Sequence, residues 1–131
     1  MQVVTPIDIE DALRIDLSAE LTGYRIMAQP VPVDLKSGDV VIYATGGGRM
    51  SAALTEYDVS IDCYANDEAE ACEVARIVGG VLASLPLRQT STQYNAASAN
   101  PPYMNFDQRA PSLARYTLVG RVKCPGVRID F

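Results

Sequence analysis

Two stretches of strict alternation commit this chain to a sheet. In residues 55–64, TEYDVSIDCY, Tyr57, Val59, Ile61 and Cys63 take one side of an extended strand, and Glu56, Asp58, Ser60 and Asp62 the other. Strand side chains alternate with a period of two, so such a stretch has one face for a core and one for water. Residues 112–124, SLARYTLVGRVKC, repeat the pattern with the opposite sign. Ala114, Tyr116, Leu118, Val122 and Cys124 share the apolar face; Arg115, Thr117, Arg121 and Lys123 share the polar one. As antiparallel neighbours the two strands would set Glu56, Asp58 and Asp62 against Arg115, Arg121 and Lys123, at about 0.2–1 kcal/mol per cross-strand pair. That pairing accounts for the carboxylates without a catalytic or metal-binding role.

Two helical patterns accompany the strands. Residues 5–21, TPIDIEDALRIDLSAEL, predict a helix with Thr5 as N-cap and Pro6 at its first position. Asp8, Glu10 and Asp11 sit near the positive end of its dipole, and Ile9, Leu13, Leu17 and Leu21 form one apolar stripe. Gly23 is a natural stop. Asn66 is placed to cap a second helix, DEAEACEVARIVGGVLASL. Its Ala71, Ala75, Val78 and Leu82 would cover the sheet, while Val74, Ile77 and Val81 fall on a different side. A helix apolar around most of its circumference needs cover on most of it, and a chain of 131 residues has few elements to supply that. Gly79 and Gly80 each cost about 1 kcal/mol against alanine in a helix, and suit close approach by another backbone. Val74, Ile77, Gly79, Gly80 and Val81 are therefore candidates for contact with another subunit. The competing reading is a central helix covered by its own chain.

Between these elements, residues 24–33 read as an extended edge segment, since Pro30 and Pro32 exclude a central strand. Residues 34–38 read as a turn and 40–44 as a short buried strand, which enters Gly46, Gly47 and Gly48 and then Arg49 and Met50. No lysine follows the glycines and no helix opens after them, so neither phosphate-loop nor dinucleotide-binding geometry is met. The glycines read as a mobile hairpin loop. Residues 87–95 read as a polar strand. Residues 95–111, rich in small residues and prolines, read as a long irregular loop that carries Tyr103, Met104 and Phe106 either as contact residues or folded back on the core. The expected architecture is one α+β domain over residues 1–131: an antiparallel sheet of about four strands with both helices on one face. Irregular loops span 45–53 and 95–111, and a short tail 125–131.

Composition narrows the chemistry. A formal net charge of −5, with no basic stretch, argues against general nucleic-acid binding. No apolar run is long enough to span a bilayer, and the first residues lack a signal-peptide pattern, which points to an intracellular chain. With no histidine, the commonest general base and zinc ligand are missing. Cys63, Cys72 and Cys124 form no C-x-x-C pair and read as small buried hydrophobes. No Ser or Cys nucleophile has a base beside it, and Asp58 with Asp62 would hold a divalent ion only weakly by proximity. The expectation is no catalytic, cofactor or metal site, and a chain whose work is assembly; a small oligomeric ligand-binding α+β domain is the alternative.

The stretch EYDVSIDCYANDEAEACEVARIVGGVLASLP resembles the strand-to-helix centre of the tail terminator proteins of long-tailed bacteriophages, also called minor tail or tail completion proteins. The preceding amphipathic helix, the segment AQPVPVD and the strand VVIYAT fit that arrangement, as do the later loop with NPPYMNFD and the strand ARYTLVGRVKC. The similarity is one of arrangement from about Ile7 to Cys124, with no short invariant motif. It implies a virion subunit, assembled in the host cytoplasm, that forms a ring, usually a hexamer, at the head-proximal end of the tail. The ring caps the tail tube, stops its polymerisation and meets the head–tail connector. Its partners would be its own copies, the tube protein and the connector, with no membrane and no specific nucleic acid. Gly46, Gly47, Gly48, Arg49 and Met50, with Tyr103, Met104 and Phe106, would then reach the tube or a neighbouring subunit. Another head–tail joining protein of the neck is the nearest alternative.

Overall fold

A computed structural model describes residues 1–51 and 53–131, and for Arg49 the backbone alone. In chain order the elements are β1 (Gln2–Thr5), α1 (Ile9–Glu20), β2 (Arg25–Ala28), β3 (Asp39–Arg49), β4 (Leu54–Ala65), α2 (Glu68–Ser84), a 3₁₀ turn (Leu85–Leu87), β5 (Ala96–Ala99), β6 (Tyr103–Met104), β7 (Ala114–Pro125) and β8 (Val127–Asp130). The fold is α+β.

The alternating stretches become the two central strands. β4 and β7 are antiparallel over their whole length, with Glu56 opposite Lys123 and Asp58 opposite Arg121. The main sheet runs β2-β3-β4-β7-β5, and β6 pairs with a separate part of β7. The apolar face of the sheet carries Val40, Ile42, Val59, Ile61, Leu118 and Val122; Leu13 and Leu17 of α1 and Val78 and Leu82 of α2 complete one core with them, each almost wholly buried. Burying side chains of this size contributes about 1.5–3 kcal/mol apiece. Gly120 sits where α2 and β5 press on β7: a Cβ there would lie 2.7 Å from both Leu82 Cδ2 and the Ser98 carbonyl oxygen, so only glycine permits that approach.

Several elements depart from the sequence expectation, each for a local reason. Helix α1 starts at Ile9 and is capped by Asp8, whose carboxylate accepts from the Asp11 N–H; Thr5 instead ends β1. Two cap-type residues compete there, and the strand partner decides, because β1 pairs antiparallel with β8. The expected tail 125–131 is mostly that partner strand. The cap of α2 is Asp67 rather than Asn66, with Asp67 Oδ1 accepting from Glu70 N–H at 2.8 Å. The sheet is mixed rather than wholly antiparallel and has six strands rather than about four, because β2 returns from α1 to lie parallel with β3. It lies at the sheet edge and stops before Pro30, as proline requires.

Residues 88–95 form no strand. Buried Asp16 of α1 captures them: it accepts from Ser91 N–H (2.8 Å), Ser91 Oγ (2.6 Å) and Tyr94 Oη (2.6 Å). The strand begins afterwards at Ala96, and the segment expected to be irregular holds both β5 and β6.

Candidate assembly interface

The glycines lie in a strand rather than a loop. β3 pairs with β4 as far as Arg49 opposite Thr55, with a bulge between Ala44 and Gly46. The bulge admits one extra residue and bends the strand. Gly46 (φ +151°) and Gly47 (φ +133°) hold positive φ, and a Cβ on Gly47 would strike the Glu56 backbone. Glu10 of α1 steadies the bulge by accepting the Ala44 N–H at 2.8 Å. Beyond it, residues 44–48 are exposed, forming an arm. The turn is short: Met50 N–H donates to the Leu54 carbonyl, and Ser51 Oγ accepts the Leu54 N–H at 3.1 Å. Met50 is exposed at the tip. The side chain of Arg49 lies outside the described residues.

At the opposite end of the β4–β7 ladder, Tyr103, Met104 and Phe106 are all exposed. They are held by a buried polar network. Arg115 donates through Nε to the Asn105 carbonyl (2.5 Å) and through Nη2 to the Phe106 carbonyl (3.3 Å). Its Nη1 lies 3.3 Å from Asp107 Oδ2 and 3.5 Å from Asp62 Oδ2. Thr117 donates to Asp62 (2.7 Å), and Tyr64 and Arg109 donate to Asp107. Burial pulls the Asp107 carboxyl upward, but the hydrogen bonds from the Arg109 side chain and backbone and from Tyr64 outweigh it and hold it at about 2. For Asp62 burial wins, and its carboxyl is raised despite the Thr117 hydroxyl and the Arg115 charge. Tyr64, Asn105, Asp107 and Arg109 carry this network, and sequence alternation gave no signal for them, since three of the four lie off the sheet's period.

The other outer-face charges are shallower. Arg121 Nε lies 2.8 Å from Asp58 and 3.4 Å from Glu56, and Lys123 Nζ lies 3.7 Å from Glu56. Half-exposed pairs of this kind contribute about 0–1 kcal/mol. Asp58 and Asp62 are thus satisfied by cations within the sheet, and the described residues contain no cluster suited to hold a metal ion.

Helix α2 presents less apolar surface than its sequence suggests. Val74 is enclosed by its own chain, and Val81 is half-buried against the core. Cover comes from β4, β5, β7 and α1 together. Ile77 stays 40 % exposed, beside an open groove between α2 and β7 with Cys72, Glu73, Arg76 and Tyr116. Gly79 has a packing reason within the chain, with Ala99 Cβ and Leu118 Cδ2 each 3.7 Å from where its Cβ would stand; Gly80 faces open space. No described helix is long and apolar enough to cross a membrane.

No family model and no curated protein matches the chain. Among solved structures, a chain described as "Virion of native gene transfer agent (GTA) particle" matches 90 % of this chain and 92 % of its own length, with a TM-score of 0.57 and 20 % identity. The two share a fold over nearly all of both chains.

Proposed function

We propose that this chain is a structural protein of a phage-like virion and, within it, a tail terminator. Residues 1–131 act as one α+β unit. Copies of it, six to a ring, cap the head-proximal end of the tail tube, end tube polymerisation and offer the surface that the head–tail connector meets. The ring assembles in the host cytoplasm. The observation that carries this reading is the fold shared with the gene transfer agent virion chain across nine-tenths of this one. Exposed side chains at both ends of the β4–β7 ladder support it: Met50 on the arm, and Tyr103, Met104 and Phe106 on their braced loop.

The test is made on particles from cells that carry the chain. Immunogold labelling should mark the junction of head and tail, and particles lacking the chain should show tails of uncontrolled length without heads. Purified particles devoid of the chain, or normal tails in its absence, would refute the reading.

A further inference from the structure

The chain ends form a ribbon of their own. β1 and β8 make a two-stranded antiparallel sheet outside the main one, with Val3 opposite Ile129 and Thr5 opposite Val127. Residues directly opposite share a face, so Val3, Val127, Ile129 and Phe131 lie on one side, and Gln2, Val4, Arg128 and Asp130 on the other. The apolar side is open: Val127 is 46 %, Ile129 44 % and Phe131 75 % exposed. An isolated two-stranded ribbon is marginal in water, and these residues with Met1 present on the order of 400 Å² of apolar surface, within the range of the largest patch on a monomer, which is often functional.

At the far end of the ladder lies a groove of about 490 Å³. Met104, Phe106, Pro111 and Leu113 supply its apolar lining, and Asp67 and Glu68 at the start of α2 its acidic lining; Arg115 also lines it, with its charge engaged by Asp62 and Asp107. Among the described residues, Arg76 and Arg128 are the arginines outside any ion pair, and Glu68 is likewise unpaired. The ribbon has an apolar face and, behind it, Arg128; the groove has an apolar lining and Glu68. Asp130 shares the face of Arg128, so the charge match is local to Arg128.

We propose that the ribbon of one copy of this chain seats in the groove of a second copy, with Ile129 and Phe131 against Met104 and Phe106, and Arg128 against Glu68. The occupant is a second copy because ribbon and groove stand at opposite ends of β7, whose twelve residues span about 40 Å. A subunit cannot fill its own groove. The contact joins unlike surfaces, head to tail, which is the geometry that closes rings. A stable pair buries about 800 Å² per partner, so one such contact is weak alone, and a closed ring, in which every subunit makes two, holds. This inference rests on the ring reading above and names its interface.

Sedimentation velocity of the full chain and of two surface variants tests it. F106D breaks the groove and leaves the ribbon; I129D breaks the ribbon and leaves the groove. Each alone should associate at least tenfold more weakly than the natural chain, the size of loss expected for a central contact residue. Mixed, they should associate measurably more than either variant does with itself, since the ribbon of the first still fits the groove of the second, and stop at pairs because no ring can close. R128E should weaken association, and adding E68R to the same chain should restore it, which keeps the test intact if either aspartate variant fails to fold. Variants that associate like the natural chain, a mixture that associates no more than either variant by itself, or a charge swap without rescue would overturn the proposal. A monomeric natural chain that still labels the head–tail junction sinks this interface alone; absence from particles sinks the terminator reading alone.

Discussion

Arg115 is the point at which one side chain braces the whole 105–109 segment. Its replacement by methionine keeps an apolar stem of similar length and removes the charge. Two hydrogen bonds to the Asn105 and Phe106 carbonyls are lost, together with the approach to Asp62 and Asp107. Both carboxylates are enclosed, with side-chain exposures of 10 % and 5 %. Removing one partner of a buried pair costs about 3–5 kcal/mol. Asp107 keeps Arg109 and Tyr64, and Asp62 keeps Thr117, so the low end applies, about 3 kcal/mol at pH 7. The pH dependence has a definite sign. Burial already holds the folded-state Asp62 carboxyl above its ordinary value, and losing Arg115 raises it further. A carboxyl with a raised folded-state value costs stability at high pH, and that cost fades as pH falls through the raised value toward the unfolded one near 3.9. Urea unfolding of R115M should therefore show a smaller deficit at pH 5 than at pH 7. Asp107 acts in the other direction: its stabilisation is present above about 3.9 and is lost as pH falls toward 2, below the assay window. Amide exchange at residues 105–109 should quicken in the variant. A deficit below about 1 kcal/mol at pH 7, or one that grows toward pH 5, would refute the assignment of Arg115 as the brace.

Three further outcomes are expected. G47A should cost about 1–3 kcal/mol through its positive φ and the Glu56 backbone, and amide exchange should locate the damage in the arm while the core stays protected; unchanged arm protection would count against the bulge geometry. D16A strands the Tyr94 hydroxyl and frees Ser91, at about 3 kcal/mol, and should open residues 88–95 to proteases; a resistant variant would show that other contacts hold them. Burial pushes the Cys63 thiol up and the Cys124 thiol up to about 11. A disulfide reagent at pH 8 should accordingly find one fast thiol, Cys72, in the native chain and three after denaturation, and two fast native thiols would contradict the packing.

What was legible in the sequence was whatever one strand or one helix face decides by itself. The alternation of Tyr57 to Cys63 and of Ala114 to Cys124 identified both central strands, and the signs of their outer charges matched the register that sets Asp58 opposite Arg121. What was hidden depends on distant partners. Nothing local in Gln2–Thr5 reveals β8, so Thr5 read as a cap. Ser91 and Tyr94 look like strand residues until Asp16, 75 residues or more away, claims them. Three glycines suggest a loop, yet a ladder needs only backbone groups, and β3 continues through them. Val74 read as surplus apolar surface because a helical wheel does not show how many elements converge on α2. Asp62 was legible as a charge on a strand, while Asn105 and Asp107, which share its partners Thr117 and Arg115, were not.

The ribbon at the chain ends also orders events in time. Pairing Gln2 with Asp130 closes a loop that contains every other element described above, and closure entropy grows with loop length. That closure has least to overcome once the central sheet has already brought the ends near, so the ribbon zips last. Opening it breaks only its own short ladder, which stands apart from the main sheet, and openings that expose so little are low in free energy.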